Sequence, residues 1–150
     1  MDSFHSLQEF SMDSCNLTSI PSNITWHSSV HSISFTNTPI ETIEANAFTL
    51  AHGLRSLDIL GAADSLTIEE NGLHTTSHHA KILSADNITH FEKMAFGDAD
   101  SSVLWTTLDI SAQEFPENVF RAMLKAHFDM HHTSKWYFSL AYPDPGEIIC

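Results

Sequence analysis

"VHSISFTNTPIETIEANAF", Val30 to Phe48, carries apolar side chains at Val30, Ile33, Phe35, Ile40, Ile43 and Phe48. The Ile33 and Phe35 alternation suits a short strand with one buried face, and Ile43 precedes Phe48 by five residues. A unit of this size cannot bury its apolar side alone, so its fold depends on whether the pattern recurs. It does. "LRSLDILGAADSLTIEENGL" places Leu54, Leu57, Ile59, Leu66, Ile68 and Leu73 in the same order. "LSADNITHFEKMAF" retains Leu83, Ile88, Phe91 and Phe96, and "WTTLDISAQEFPENVF" retains Trp105, Leu108, Ile110, Phe115 and Phe120.

The closing residues Phe48, Leu73, Phe96 and Phe120 are 25, 23 and 24 residues apart, and Ile43, Ile68, Phe91 and Phe115 each precede them by five. A period in this range is that of leucine-rich repeats. Each unit would supply a strand and then a return segment that closes the core from the other side. The position where such repeats carry a turn-bonding Asn holds Thr38, Ala62, Asp86 and Gln113. Repeat two has extra residues before its second apolar pair and repeat four has lost some. The sequence therefore predicts an α/β-type repeat solenoid: a short leucine-rich repeat horseshoe with a parallel β-sheet of about four to five strands and an irregular convex side. Residues 1–14 read as an N-terminal extension and 15–28 as a partial cap. Repeats follow at about 30–53, 54–77, 78–101 and 102–125, then a last strand, from Trp136 to Tyr142, within a tail spanning 126–150.

"CNLTSIPSNI", with Cys15, Leu17, Thr18, Ile20, Pro21 and Ile24, resembles the end of the cysteine-bearing N-terminal cap of extracellular leucine-rich repeat proteins. "FPENVFRAML" is similar to a segment of secreted arthropod repeat proteins related to the non-catalytic subunit of oplophorus-luciferin 2-monooxygenase. The resemblance implies an extracellular, non-enzymatic repeat protein, with Cys150 standing where a C-terminal cap would begin. Five strands spaced about 4.8 Å apart put Cys15 and Cys150 too far from each other for a disulfide, so two free thiols are expected.

At 150 residues with 42% hydrophobic content, the chain is sized for one folded domain, and no apolar run approaches a membrane span. Nineteen acidic residues against six basic ones, scattered along the chain, disfavour a nucleic-acid partner. Protonating all eleven histidines would raise the formal charge of -13 by 11, to -2. Sequons at Asn16, Asn23 and Asn87 point to glycosylation and secretion, whereas "MDSFHSLQEF" has no basic n-region or apolar h-region. On sequence, the chain is either cytosolic or begins downstream of its true start.

Enzyme signatures such as G-x-S-x-G or a Gly-rich phosphate loop do not occur, and the reading assigns no catalytic residue and no cofactor. His127 and His131, four apart in "NVFRAMLKAHFDMHH", would share one helical face and form the alternative metal pair of a histidine-rich metal-binding protein. Their apolar neighbours favour two half-buried core histidines instead. His74, His78 and His79 form a loop cluster without a four-ligand closure. A truncated structural fragment of a larger repeat protein is the remaining alternative. The expected function is protein binding on the concave sheet, through His31, Ser32 and Ser34, Arg55, Ser56 and Asp58, Ile82 and Ser84, and Thr107 and Asp109. These are mostly small and polar, suited to a broad protein contact.

Overall fold

The computed structural model describes residues 7–22, 24–77, 81–97, 105–110, 115–116, 119–120 and 137–140. The described residues form ten strands in two parallel sheets, the first eight alternating between the sheets and the last two both joining the larger one. Strands β1 (Glu9–Asp13), β3 (Ser32–Thr36), β5 (Ser56–Leu60), β7 (Lys81–Ala85), β9 (Trp105–Ile110) and β10 (Tyr137–Leu140) form a six-stranded sheet in that order. Strands β2 (Ser19–Ile20), β4 (Thr42–Ile43), β6 (Leu66–Ile68) and β8 (Ile88–Phe91) form a four-stranded sheet. Successive coils stack in sequence order, which is a repeat solenoid.

Register follows the sequence period. Ile33 pairs with Leu57 and Leu57 with Leu83 in the first sheet, while Ile20 pairs with Ile43, Ile43 with Ile68 and Ile68 with Phe91 in the second. Burial alternates along β3 and β5, so Ile33, Phe35, Leu57 and Ile59 point between the sheets with exposures of 2% or less. The pairing of β6 with β8 shifts by one residue, Leu66 lying beside Ile88 and Thr67 beside His90, so the extra residue is Thr89 of the third repeat.

Three expectations need correction. The return side carries no helix among the described residues, because its segments are two to four residues of mainly β-branched and apolar side chains. The turns after β4, β6 and β8 then pass through a left-handed residue, Asn46 (φ 62), Asn71 (φ 58) and Met94 (φ 57), which ends any right-handed helical run. That side is also more regular than the irregular convex surface expected, since its strands pair into a second sheet. The large sheet has six strands rather than four or five, and it starts at Glu9, inside the stretch read as an extension.

Aromatic stacking joins the coils. Trp26 stacks on Phe48 with ring centroids 5.6 Å apart, Phe91 lies 5.6 Å from Phe115, and Phe96 lies 5.7 Å from Phe120. The shortened fourth repeat therefore keeps its closing pair in register with the third, and Phe115 and Phe120 pack on the same core.

A glutamate ladder reinforces the return side. Glu44 Oε2 accepts the Ser22 N–H at 2.9 Å, Glu69 Oε2 the Ala45 N–H at 2.9 Å, and Glu92 Oε2 the Glu70 N–H at 3.0 Å. Each carboxylate follows the last apolar residue of its strand and reaches back to the turn of the preceding coil. On the opposite corner Asp86 accepts the Gly61 N–H at 2.9 Å and the Ala62 N–H at 3.4 Å, the turn-bonding role expected of an Asn there. Gly61 holds φ +69, which favours glycine, and a Cβ on Gly53 would meet the Ser28 and Val30 carbonyl oxygens.

Replacing Glu69 by Ala removes one rung and should cost about 1 kcal/mol in urea unfolding, the usual magnitude of a lost cap. An unchanged midpoint would show that water substitutes for the carboxylate.

Acid should loosen the same features. Hydrogen bonds from Asn37 and then Thr36 hold Asp13 below its ordinary 3.8, and the Ser22 N–H followed by the Ser19 hydroxyl hold Glu44 below 4.5. With folded pKa values depressed, each contributes stability above its unfolded pKa and loses it as pH falls through the folded one. Urea midpoints should drop below about pH 4.5, and less steeply in Glu44→Gln.

Candidate interaction surface

The outward side chains of the six-stranded sheet fall into rows because parallel strands in register place equivalent residues side by side. One row runs Ser32, Ser56, Ile82, Thr107, and the next runs Ser34, Asp58, Ser84, Asp109. The structure thus brings eight of the ten residues singled out in the sequence into two adjacent rows. Ser32, Ser34, Ser56, Asp58 and Ser84 are half-buried, Ile82 is 46% exposed, and Ser56 Oγ donates to Ser32 Oγ at 3.0 Å. Thr107 and Asp109 are placed by backbone register.

His31 and Arg55 sit just before β3 and β5, at the entrance to the rows. His31 Nδ1 lies 3.1 Å from the Gly53 carbonyl oxygen and stitches two coils together, while Arg55 is exposed. The sequence reading missed the residues that extend the rows: Glu9 beside Ser32 and Ser11 beside Ser34 at one end, Tyr137 beside Thr107 and Ser139 beside Asp109 at the other. The signal for β1 was present as Leu7-x-x-Phe10-x-Met12, the same spacing spelled with Phe and Met.

Other sequence candidates divide between placed and unplaced. Asn16 and Asn87 are exposed, and Asn87 has φ 58. Asn23, His78, His79, His127, His131 and Cys150 lie outside the described residues. Cys15 carries a free thiol that donates to the Asp13 carbonyl at 3.5 Å. His74 Nδ1 is 3.5 Å from Thr49 Oγ1, and no group of three or more potential metal ligands occurs among the described residues. No helix among them is long and apolar enough to cross a membrane.

Among the described residues, hollows flank both sheets. One, of about 330 Å³, opens at the N-terminal end of the core between Phe10, Met12, Leu17, Ile20, Ile24 and Trp26. Another, of about 480 Å³, lies over the second sheet among Glu41, Thr42, Ala63, Asp64, Ser65 and Thr67. Lys81, at the start of β7, is fully buried, donates Nζ to the Ser77 carbonyl at 2.8 Å, and burial pushes its amine down to about 8.

Comparison with family models, curated proteins and solved structures finds no match to this chain.

Proposed function

We propose that this chain is a leucine-rich repeat solenoid with a β-type return side, acting outside the cell as a non-catalytic protein-binding module. The observation that carries the reading is the pair of registered rows on the six-stranded sheet, built from Ser32, Ser34, Ser56, Asp58, Ile82 and Ser84. A broad ribbon of short side chains offers a protein partner close backbone approach, with Ile82 as an apolar contact in its middle. The alternating strands, the 23-to-25-residue period and the cap-like "CNLTSIPSNI" support the family assignment.

The test is a binding screen of the purified chain against an array of extracellular domains, repeated with Ser34→Arg, Ser84→Arg and, on the opposite sheet, Thr67→Arg. Partners should be lost with the first two and kept with the third. An empty screen, or partners indifferent to Ser34→Arg and Ser84→Arg, would overturn the reading.

Localisation is tested separately by expressing the chain behind a secretion leader in a eukaryotic host. Glycan should be found by mass spectrometry at exposed Asn16 and Asn87, and Asn16→Gln and Asn87→Gln should each remove one glycan. A chain that reaches the medium without glycan would count against an extracellular glycoprotein.

A further inference from the structure

Among the described residues β1 is an edge strand of the large sheet, and three features meet there. The first is backbone. Gln8 accepts the Ser32 N–H through its carbonyl at 3.2 Å, and the Ser14 N–H donates to the Thr36 carbonyl at 2.9 Å, so the even-numbered residues of β1 face β3. Peptide groups alternate sides along a parallel strand, so those of Glu9, Ser11 and Asp13 point away from the sheet. No strand among the described residues pairs with that side.

The second feature is the apolar hollow of about 330 Å³ directly beneath this edge. Phe10 and Met12 line it from β1, and Trp26 lines it from the return side. Trp26, stacked on Phe48 at 5.6 Å and met edge-on by Phe10 at 5.4 Å, forms part of the wall of this hollow.

The third is charge. Glu9, Ser11 and Asp13 are exposed on the outward face of β1, and the hydrogen bonds from Asn37 and Thr36, both 2.9 Å, hold the Asp13 carboxylate in place. If a second copy paired antiparallel about Ser11, Glu9 would face the other Asp13 and two chains of net charge -13 would meet. Like charges directly opposite oppose pairing. The same carboxylates favour a strand bearing Lys or Arg on that face.

We propose that β1 and the hollow beside it dock an extended segment of a partner protein in which apolar residues alternate with basic ones. The segment adds a seventh strand by bonding the outward peptide groups of Glu9, Ser11 and Asp13. Its apolar side chains enter the hollow walled by Phe10, Met12 and Trp26, and its basic side chains meet Glu9 and Asp13. This site shares Glu9 and Ser11 with the N-terminal end of the rows on the sheet face, but the strand edge and the hollow it uses do not depend on a partner of that face.

The test uses the full chain and a fluorescein-labelled, end-blocked peptide alternating Lys with Val, Trp and Leu, read by fluorescence anisotropy. Saturable binding should appear with the alternating peptide and be absent with a scrambled peptide of the same composition and with an alternating Glu version. Ser11→Pro removes one outward N–H without touching a bond to β3, and it should weaken binding about tenfold or more. Glu9→Lys should weaken binding to a similar extent, whereas Thr67→Arg, on the four-stranded sheet, should leave it unchanged. Circular dichroism and thermal melting verify that each variant is folded, and if Ser11→Pro unfolds, Glu9→Lys decides. Equal binding of the scrambled peptide, or indifference to Glu9→Lys, overturns the proposal. So does a dimer in light scattering that Glu9→Lys alters, because the edge would then serve a second copy, and so does peptide-independent uptake of a small apolar dye into the hollow as its only occupant.

Discussion

Phe48→Ala should destabilise the protein by about 3–5 kcal/mol in urea or thermal unfolding, the range for removing a buried aromatic ring. Phe48 is fully buried, closes the first complete repeat and stacks on Trp26 at an interplanar angle of 17°. Removing the ring deletes its own apolar burial and leaves a void in a layer that neighbouring coils share, so collapse around the gap is limited. Phe120→Ala is the internal comparison. Phe120 contacts Phe96 and Phe115 at 5.7 and 5.1 Å but is only partly buried, and it should cost clearly less. Equal losses at the two positions would contradict the layered core.

Lys81→Met should stabilise the protein at neutral pH, by on the order of 1–3 kcal/mol. Lys81 is fully buried at the start of β7, and desolvation lowers its pKa from 10.5 to about 8. Each unit corresponds to about 1.4 kcal/mol, so keeping the buried amine charged costs on the order of 3 kcal/mol at pH 7. The folded state binds fewer protons than the unfolded one between pH 8 and 10.5, so wild-type stability should rise with pH across that window. The Met variant should lack that rise. Its gain is reduced by the loss of the Nζ hydrogen bond to the Ser77 carbonyl, 2.8 Å long. Unfolding curves at pH 7 and 10 check both parts, and a Met variant much less stable than wild type at pH 7 would show that the hydrogen bonds outweigh desolvation.

Much of this was legible in the residues because the repeat is written twice per coil. The L-x-x-L-x-L spacing located β3, β5 and Leu83 of β7, and the pair separated by five located Ile43 with Phe48, Ile68 with Leu73 and Phe91 with Phe96. The outward positions of those strands followed from alternation alone, which is why the two polar rows were found. The glutamate ladder was equally present, since Glu44, Glu69 and Glu92 each follow the closing apolar residue of a return strand. Its meaning was hidden because a carboxylate in a charged surface pattern and one bonded to the preceding coil's backbone look the same in one dimension.

The N-terminal end was misread for a related reason. Leu7, Phe10 and Met12 obey the spacing, but an aromatic and a thioether in a polar stretch resemble an irregular extension until a neighbouring strand gives them a register. The absence of a helix among the described return segments was likewise out of reach. Short runs such as Thr42–Ile43 have no period long enough to measure, and their conformation is set by pairing with the coils before and after them.

By itself, the sequence determined the period, the buried face of each central strand and the stacking order, since local alternation and fixed repeat length dictate which side chains must leave water together. Only the tertiary structure decided that the return side is a second sheet, that Lys81 is a core residue and that β1 is, among the described residues, an edge strand beside a hollow. Each of those depends on which backbone lies alongside, and parallel neighbours here are separated by some two dozen residues of chain.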